Sequence, residues 1–359
     1  MLREYIAHFI HSWYTDLIKG GDAMLSKDFR GEIWSNVDPR VMQALVQANE
    51  TPIDGCVGGD SYSQHAIELV ARQFRDPIYA IYTINGTGAN MIAMKAMLDR
   101  YSAIICAGET HINVYEAGAF EYTLGNKILF ADAPDGKLTV ERIERLLVNT
   151  KKYKYNPKVI VITQPTELGT LYTPDELKEL CDYAHERGMY VYIDGARIGC
   201  ALATLNMGLA EMIEYADVDA FTIGGTKSGA MFGEMVVFRR EEFAGHLAYL
   251  QKQSFQHFDK SKFIGAQFVC LLENDLWLEN ARKANQNAQK LAQKFREKGV
   301  ESYYPVQANM VFAPINAEQM ARLEKQFDLH YWNEELKIVR FGTTAVTTEE
   351  SMQRLADLL

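Results

Sequence analysis

From about residue 38 onward, stretches of helical period alternate with short runs of consecutive apolar residues, the pattern of strands joined by crossover helices around a mostly parallel sheet. The run Ile78-Tyr79-Ala80-Ile81-Tyr82-Thr83 reads as a buried strand. Further strands are predicted at 103–106, 127–130, 159–163, 190–193, 220–223 and 235–238. Helices over about 39–49, 63–74, 114–123, 139–149, 174–187 and 208–215 fall around and between them, and another, carrying Met91, Met94 and Leu98, follows residue 88. Asp38 followed by Pro39 is a helix start, and Asp135-Gly136 and Arg187-Gly188 are turn signals between units. Beyond about residue 245 the texture changes to a long polar helix over 273–298 and short strands at 310–313 and 337–341. At the other end, residues 2–19 place Leu2, Ile6, Phe9, Ile10, Trp13 and Leu17 on one helical face, interrupted by Arg3, Glu4, Asp16 and Lys19. That is an amphipathic helix packed on the body or on a partner subunit, not a signal peptide. The expected organisation is a helical segment (1–27), a large α/β domain (28–244) and a small α+β domain (245–359).

A chain of 359 residues is long enough for those two domains, and 48% hydrophobic with 23% charged residues is an ordinary globular composition. The 47 acidic against 37 basic residues give a net charge of -10 with no long basic run, which argues against a nucleic-acid surface and for a small-molecule substrate. No stretch approaches the roughly 20 apolar residues of a membrane helix. Cys56, Cys106, Cys181, Cys200 and Cys270 form no C-x-x-C pair, which suits reduced core thiols in a cytoplasmic protein.

Three places carry candidate chemistry. Gly86-Thr87-Gly88-Ala89-Asn90 stands where a strand gives way to a helix, so its backbone can approach a phosphate and unpaired helix N–H groups can bind it. It lacks the full G-x-G-x-x-G pattern, and alone a glycine turn is more often a tight connection. Asp194, in Tyr192-Ile193-Asp194-Gly195-Ala196-Arg197, ends a predicted buried strand, where open α/β sheets bind ligands. Lys227 follows another strand in the small-residue loop Gly224-Gly225-Thr226-Lys227-Ser228-Gly229-Ala230. Most lysines are solvated surface groups, so Lys227 gains meaning from this company. A phosphate turn, a strand-end aspartate and a loop lysine are the parts that pyridoxal 5'-phosphate (PLP) chemistry needs. Desolvation favours the neutral amine that bonds the cofactor, and an aspartate at the pyridine nitrogen keeps the ring an electron sink.

The chain resembles the threonine aldolases of the β-eliminating lyase group, PLP enzymes of the aspartate-aminotransferase-like fold (fold type I). The stretches that carry the likeness are Gly86–Asn90, His111-Ile112-Asn113-Val114-Tyr115-Glu116-Ala117-Gly118-Ala119, Thr163-Gln164-Pro165-Thr166-Glu167-Leu168-Gly169-Thr170, Asp194–Arg197, Gly224–Lys227 and Ala308-Asn309-Met310-Val311-Phe312. It covers nearly everything after residue 28. The resemblance implies Lys227 as the lysine that holds PLP, Asp194 at the pyridine nitrogen, and His111 stacked on the ring. It further implies Gly86 and Thr87 at the phosphate, Lys252 reaching that phosphate from a neighbouring subunit, and Arg197 near the ring hydroxyl or the substrate. Arg340 would clamp the substrate carboxylate, a task suited to a planar bidentate donor.

The implied reaction is cleavage of L-threonine or L-allo-threonine to glycine and acetaldehyde, in a homodimer or homotetramer with active sites at the subunit interface. Three positions depart from the family pattern: Gly31-Glu32 in place of a Ser-Asp pair, Val57 in place of a tyrosine, and Tyr153 where some members carry a histidine. These bear on the substrate more than on the cofactor. They leave open another PLP-dependent β-eliminating lyase, an aldolase for a bulkier β-hydroxy amino acid, or a PLP-binding protein with little catalysis.

Overall fold

The structure, a computed structural model, describes residue 26 and residues 28–150 and 155–359. The amphipathic helix expected over 2–19, and Tyr153, lie outside the described residues. Seven strands, β1 (Tyr79–Thr83), β2 (Ser102–Ala107), β3 (Lys127–Ala131), β4 (Asn156–Thr163), β5 (Tyr190–Asp194), β6 (Ala220–Gly224) and β7 (Glu234–Phe238), form one sheet in the order β1-β7-β6-β5-β4-β2-β3. Only β7 runs against its neighbours. β2, β6 and β7 are buried along their whole length because helices cover both faces, which is why these strands read as unbroken apolar runs. On one face Ile105, Ile162, Ile193 and Phe221 pack beneath the helices; on the other, Ile104, Val161, Tyr192 and Val236 do so.

The helix starts follow their sequence signals. The Asp38 side chain accepts from Arg40 N–H ahead of helix Pro39–Glu50, and Thr173 with Glu176 closes a capping box on helix Pro174–Glu186. Two predicted helices are corrected. The one expected over 114–123 is two short helices, His111–Val114 and Ala119–Leu124, because Ala117 and Gly118 take left-handed backbone (φ 51° and 73°). The long one expected over 273–298 begins at Leu276, and a separate helix, Lys262–Glu273, precedes it. The break falls where Asp275 turns left-handed (φ 53°). Helices Ile198–Leu205, Ala317–Leu323 and Glu349–Ala356, at seven or eight residues each, are too short to show a period in the sequence.

A second, antiparallel sheet pairs β8 (Met310–Pro314), β10 (Ile338–Gly342) and β9 (Tyr331–Asn333) in that order. Helix Leu276–Glu297 spans both cores: Leu276 and Trp277 lie under the large sheet, whereas Leu291 and Phe295 pack with Val311, Phe341 and Leu355. Helix Lys262–Glu273 likewise packs on helices Ser61–Ala71 and Pro39–Glu50 of the large layer. Phe29 joins the second core, edge-on to Phe327 at 5.5 Å. Among the described residues no helix is long and apolar enough to cross a membrane.

Candidate active site

Because β1, β2, β4, β5 and β6 run parallel, their carboxyl ends open on one edge of the sheet, the place where such folds gather ligand-binding loops. That edge receives Gly86 and Thr87 after β1, His111 after β2, Glu167 after β4, Asp194 at the end of β5 and Lys227 after β6. The antiparallel β7 begins there and places Glu234 opposite Gly224. Asn85 caps helix Gly86–Met97 through Gly88 N–H (2.8 Å), so the first-turn N–H groups at Gly86 and Thr87 stand ahead of the cap. Gly195 holds the turn after Asp194 closed: a Cβ there would come 1.9 Å from the Thr222 carbonyl oxygen.

A buried chain of hydrogen bonds runs along the edge. Asn90 donates from Nδ2 to both Glu116 Oε1 (2.6 Å) and Asp194 Oδ2 (3.0 Å), while its Oδ1 accepts from the Tyr192 hydroxyl (2.9 Å). Tyr192 also contacts the Thr222 hydroxyl (2.6 Å), and Ala196 N–H donates to Asp194 Oδ1 (3.1 Å). His111 Nδ1 lies 2.8 Å from Glu116 Oε1. Burial disfavours the His111 cation, yet the Glu116 hydrogen bond and the charges of Asp194 and Glu167 outweigh it and raise the ring's pKa. Burial also raises Glu116, against the hydrogen bonds from His111 and Asn90.

Around Lys227 several charges lie close together. Burial first, and then the neighbouring Arg197 cation, lower the Lys227 pKa in spite of Glu167, Glu32 and Asp194. Arg197 is committed to Glu32 by a 2.7 Å bond from Nε, and Asn309 Nδ2 donates to the same Glu32 oxygen (2.6 Å). Burial opposes ionisation of Glu32, but the Arg197 charge and hydrogen bond, with Lys227 behind them, hold its carboxyl down at about 2. Arg340, projecting from β10, has no hydrogen bond or ion pair among the described residues. Burial and Arg197 lower its pKa, so it is a guanidinium short of an anion. It lines a cleft of about 640 Å³ with Ile33, Trp34, Tyr115 and Trp332, while Lys227, Arg197 and Glu32 line another of about 650 Å³.

Glu234 gives this edge a pH signature. Burial lifts its carboxyl from an ordinary 4.5 to about 7, although Lys227 and the N–H of Gly225 (2.9 Å) favour ionisation. Between those two values the folded chain holds a proton that the unfolded chain has released, so this group's contribution to stability falls as pH rises through the window. The shift corresponds to a cost of roughly 3 kcal/mol above pH 7. Glu234→Gln, which keeps an acceptor for Gly225, is expected to recover that amount at pH 8 and to change little at pH 4, as read by urea unfolding at both. An equal effect at the two pH values would exclude the assignment.

Of the residues singled out from sequence, the fold brings Lys227 within electrostatic reach of Asp194, His111 and Arg197, brings Arg340 within reach of Arg197, and sets Gly86 and Thr87 on the same edge. Lys252 is exposed on helix Leu247–Gln253, which packs against helix Gly86–Met97. Gly31, with φ 99°, precedes the short turn Glu32–Trp34, so the Gly31-Glu32 departure is at the site through the Glu32 carboxylate. Val57 lies elsewhere, in left-handed backbone (φ 56°), beside a cleft formed by Gly58, Tyr82 and Ile264. The sequence assigned no role to Asn90, Glu116, Glu167 or Glu234. The first three stand within the quoted motifs, where a polar residue among small and apolar neighbours was the available signal. The pairing of Glu32 with Arg197, 165 residues apart, left no local trace.

A beta-eliminating lyase family model matches residues 34–318. A low specificity L-threonine aldolase of Pseudomonas aeruginosa is 33% identical over 294 residues, covering 81% of this chain and 85% of that protein. One from a Pseudomonas sp. is 33% identical over 304 residues, covering 84% and 88%. Among solved structures, a threonine aldolase of Leishmania major superimposes with a TM-score of 0.86 at 28% identity, over 91% of this chain and 97% of that one. An aspartate aminotransferase of Thermus thermophilus, at 17% identity and TM-score 0.73 over 98% and 95%, shares the fold. A match of that extent, on a chain whose sheet edge gathers Lys227, Asp194 and His111, establishes that this protein belongs to the beta-eliminating lyase family.

Proposed function

We propose that this chain is a PLP-dependent aldolase that cleaves L-threonine or L-allo-threonine to glycine and acetaldehyde. The observation that carries the reading is Lys227, half-buried and low in proton affinity, on one sheet edge with Asp194 and beside Arg197, whose charge the unpaired Arg340 also feels, in a chain whose relatives include threonine aldolases.

The residues present fit the cofactor. Lys227 is a desolvated amine. Asp194 accepts from Asn90 and Ala196 and keeps capacity for a further donor, as a protonated ring nitrogen would be. The Thr163 hydroxyl is buried without a partner at the end of β4, and a Cβ at Gly86 would meet open space at the helix N-terminus. Lys227 would hold the cofactor, Asp194 its ring nitrogen, His111 its face, and Gly86 and Thr87 its phosphate. When bound, PLP supplies an electron sink for a broken bond at Cα.

The protein's own work is orientation. Arg340 takes the substrate carboxylate, and Arg197, held in place by Glu32, stays fixed beside Lys227. The same reading assigns a cytoplasmic homodimer or homotetramer, with Lys252 completing a neighbour's phosphate site; the five unpaired cysteines suit a reducing compartment. The test is acetaldehyde release from each threonine diastereomer with PLP supplied, alongside light scattering for mass. Release by the native chain supports the reading. A PLP-loaded protein that releases none would turn the search to other β-substituted amino acids, and an active monomer would remove the interface site.

A further inference from the structure

Five carboxylates surround this edge, and four of them have hydrogen-bond partners in the fold. Glu32 accepts from Arg197 and Asn309, Glu116 from Asn90, Asp194 from Asn90 and Ala196, and Glu234 from Gly225. Glu167 is the fifth. It is only 6% exposed and has no hydrogen-bond partner among the described residues. Its charge is felt at His111, Lys227, Arg197, Arg340 and Tyr115, so it faces the middle of the site.

The loop that carries it is built to stay in place. Thr166 N–H donates to the Thr170 carbonyl (2.9 Å), Gly169 N–H to the Thr166 carbonyl (2.9 Å), and the two threonine hydroxyls meet at 2.7 Å. Gln164 N–H donates to the Asp194 carbonyl (3.1 Å), which ties the loop to the end of β5. Glu167 is mostly covered, yet its oxygens are not sealed inside the fold, and a rigid loop that holds an acceptor open to the site and bonded to nothing offers it to a donor brought by the ligand. A β-hydroxy amino acid brings such a donor in its hydroxyl. Its own carboxylate is repelled by Glu167 and drawn to Arg340.

We propose that Glu167 is a catalytic residue of this site, the base that accepts the proton of the substrate's β-hydroxyl as the Cα–Cβ bond breaks. The assignment rests on the aldolase reading above. The hydroxyl proton passes to a Glu167 oxygen and the O–H electron pair becomes the second bond of the aldehyde carbonyl. The Cα–Cβ pair stays with the carbon that becomes Cα of glycine, which later takes a proton, and Glu167 returns its own to solvent. His111 is the rival acceptor, but its Nδ1 is taken by Glu116 and the surrounding carboxylates raise its proton affinity.

Glu167→Gln keeps the shape and removes the base, with Glu167→Asp as the conservative partner. In the PLP-loaded protein, acetaldehyde release by Glu167→Gln is expected to fall by about 10²- to 10⁴-fold. Glycine has no β-hydroxyl, so its affinity, read by titrating cofactor absorbance, should not fall, and the cofactor band should remain. Glu167→Asp should recover part of the rate. Full cleavage by Glu167→Gln overturns the proposal. Loss of the glycine affinity or of the cofactor band together with the rate also overturns it, because the group would then serve the cofactor or the fold. A native chain that binds PLP and glycine but releases no acetaldehyde brings down the aldolase reading and this assignment with it, an outcome distinct from failure of the variant alone.

Discussion

Lys227→Ala is expected to remove the visible absorbance of covalently held PLP and to lower acetaldehyde release on the order of 10⁴- to 10⁶-fold, the scale of losing a covalent catalytic group. The chain should remain folded. Lys227 stands half-buried beside Arg197, and the fold already disfavours its charged form, so truncation relieves a repulsion at the same time as it leaves space. Denaturant midpoints of the two apoproteins would establish this. Surviving absorbance at native strength would mean that another lysine holds the cofactor.

The second large effect falls on Arg340. Its replacement by alanine takes away two charge-assisted hydrogen bonds to the substrate carboxylate, at roughly 1.5–3 kcal/mol each. That predicts a loss of about 10²- to 10⁴-fold in kcat/KM. Arg340→Lys, a point charge without the planar fork, should fall between alanine and native. Because Arg340 has no anion partner in the fold, its removal should not destabilise the protein, whereas removal of Arg197 would strand Glu32. An unchanged KM for threonine in Arg340→Ala would move the clamp to Arg197.

The sequence made the large sheet readable because its strands are buried on both faces and so appear as continuous apolar runs, and the crossover helices are long enough to show their period. Gly86, Asp194 and Lys227 were legible for the same reason: each follows such a run directly, at the end where parallel strands share an edge. The broken helix at Gly118 was not, because Val114 to Thr123 keeps a passable helical pattern, and left-handed backbone at Ala117 is set by the surrounding packing. Nor was the division of labour between the two arginines. It depends on Glu32 reaching Arg197 across 165 residues, and the Gly31-Glu32 pair read locally as a mere departure from the family.

The bond chain through Asn90 has a further consequence, one of direction. Glu116 and Asp194 accept from the same amide nitrogen, so the Asn90 oxygen must face Tyr192, whose hydroxyl must donate to it. Tyr192 can then only accept from Thr222, and the sequence of donors runs one way from the middle of β6 to the end of β5. It works as a diode in a wire: it admits a hydrogen-bond donor at its Asp194 terminus and turns away an acceptor. A protonated ring nitrogen placed there would meet an acceptor whose neighbours are ordered in part by a tyrosine wholly inside the sheet.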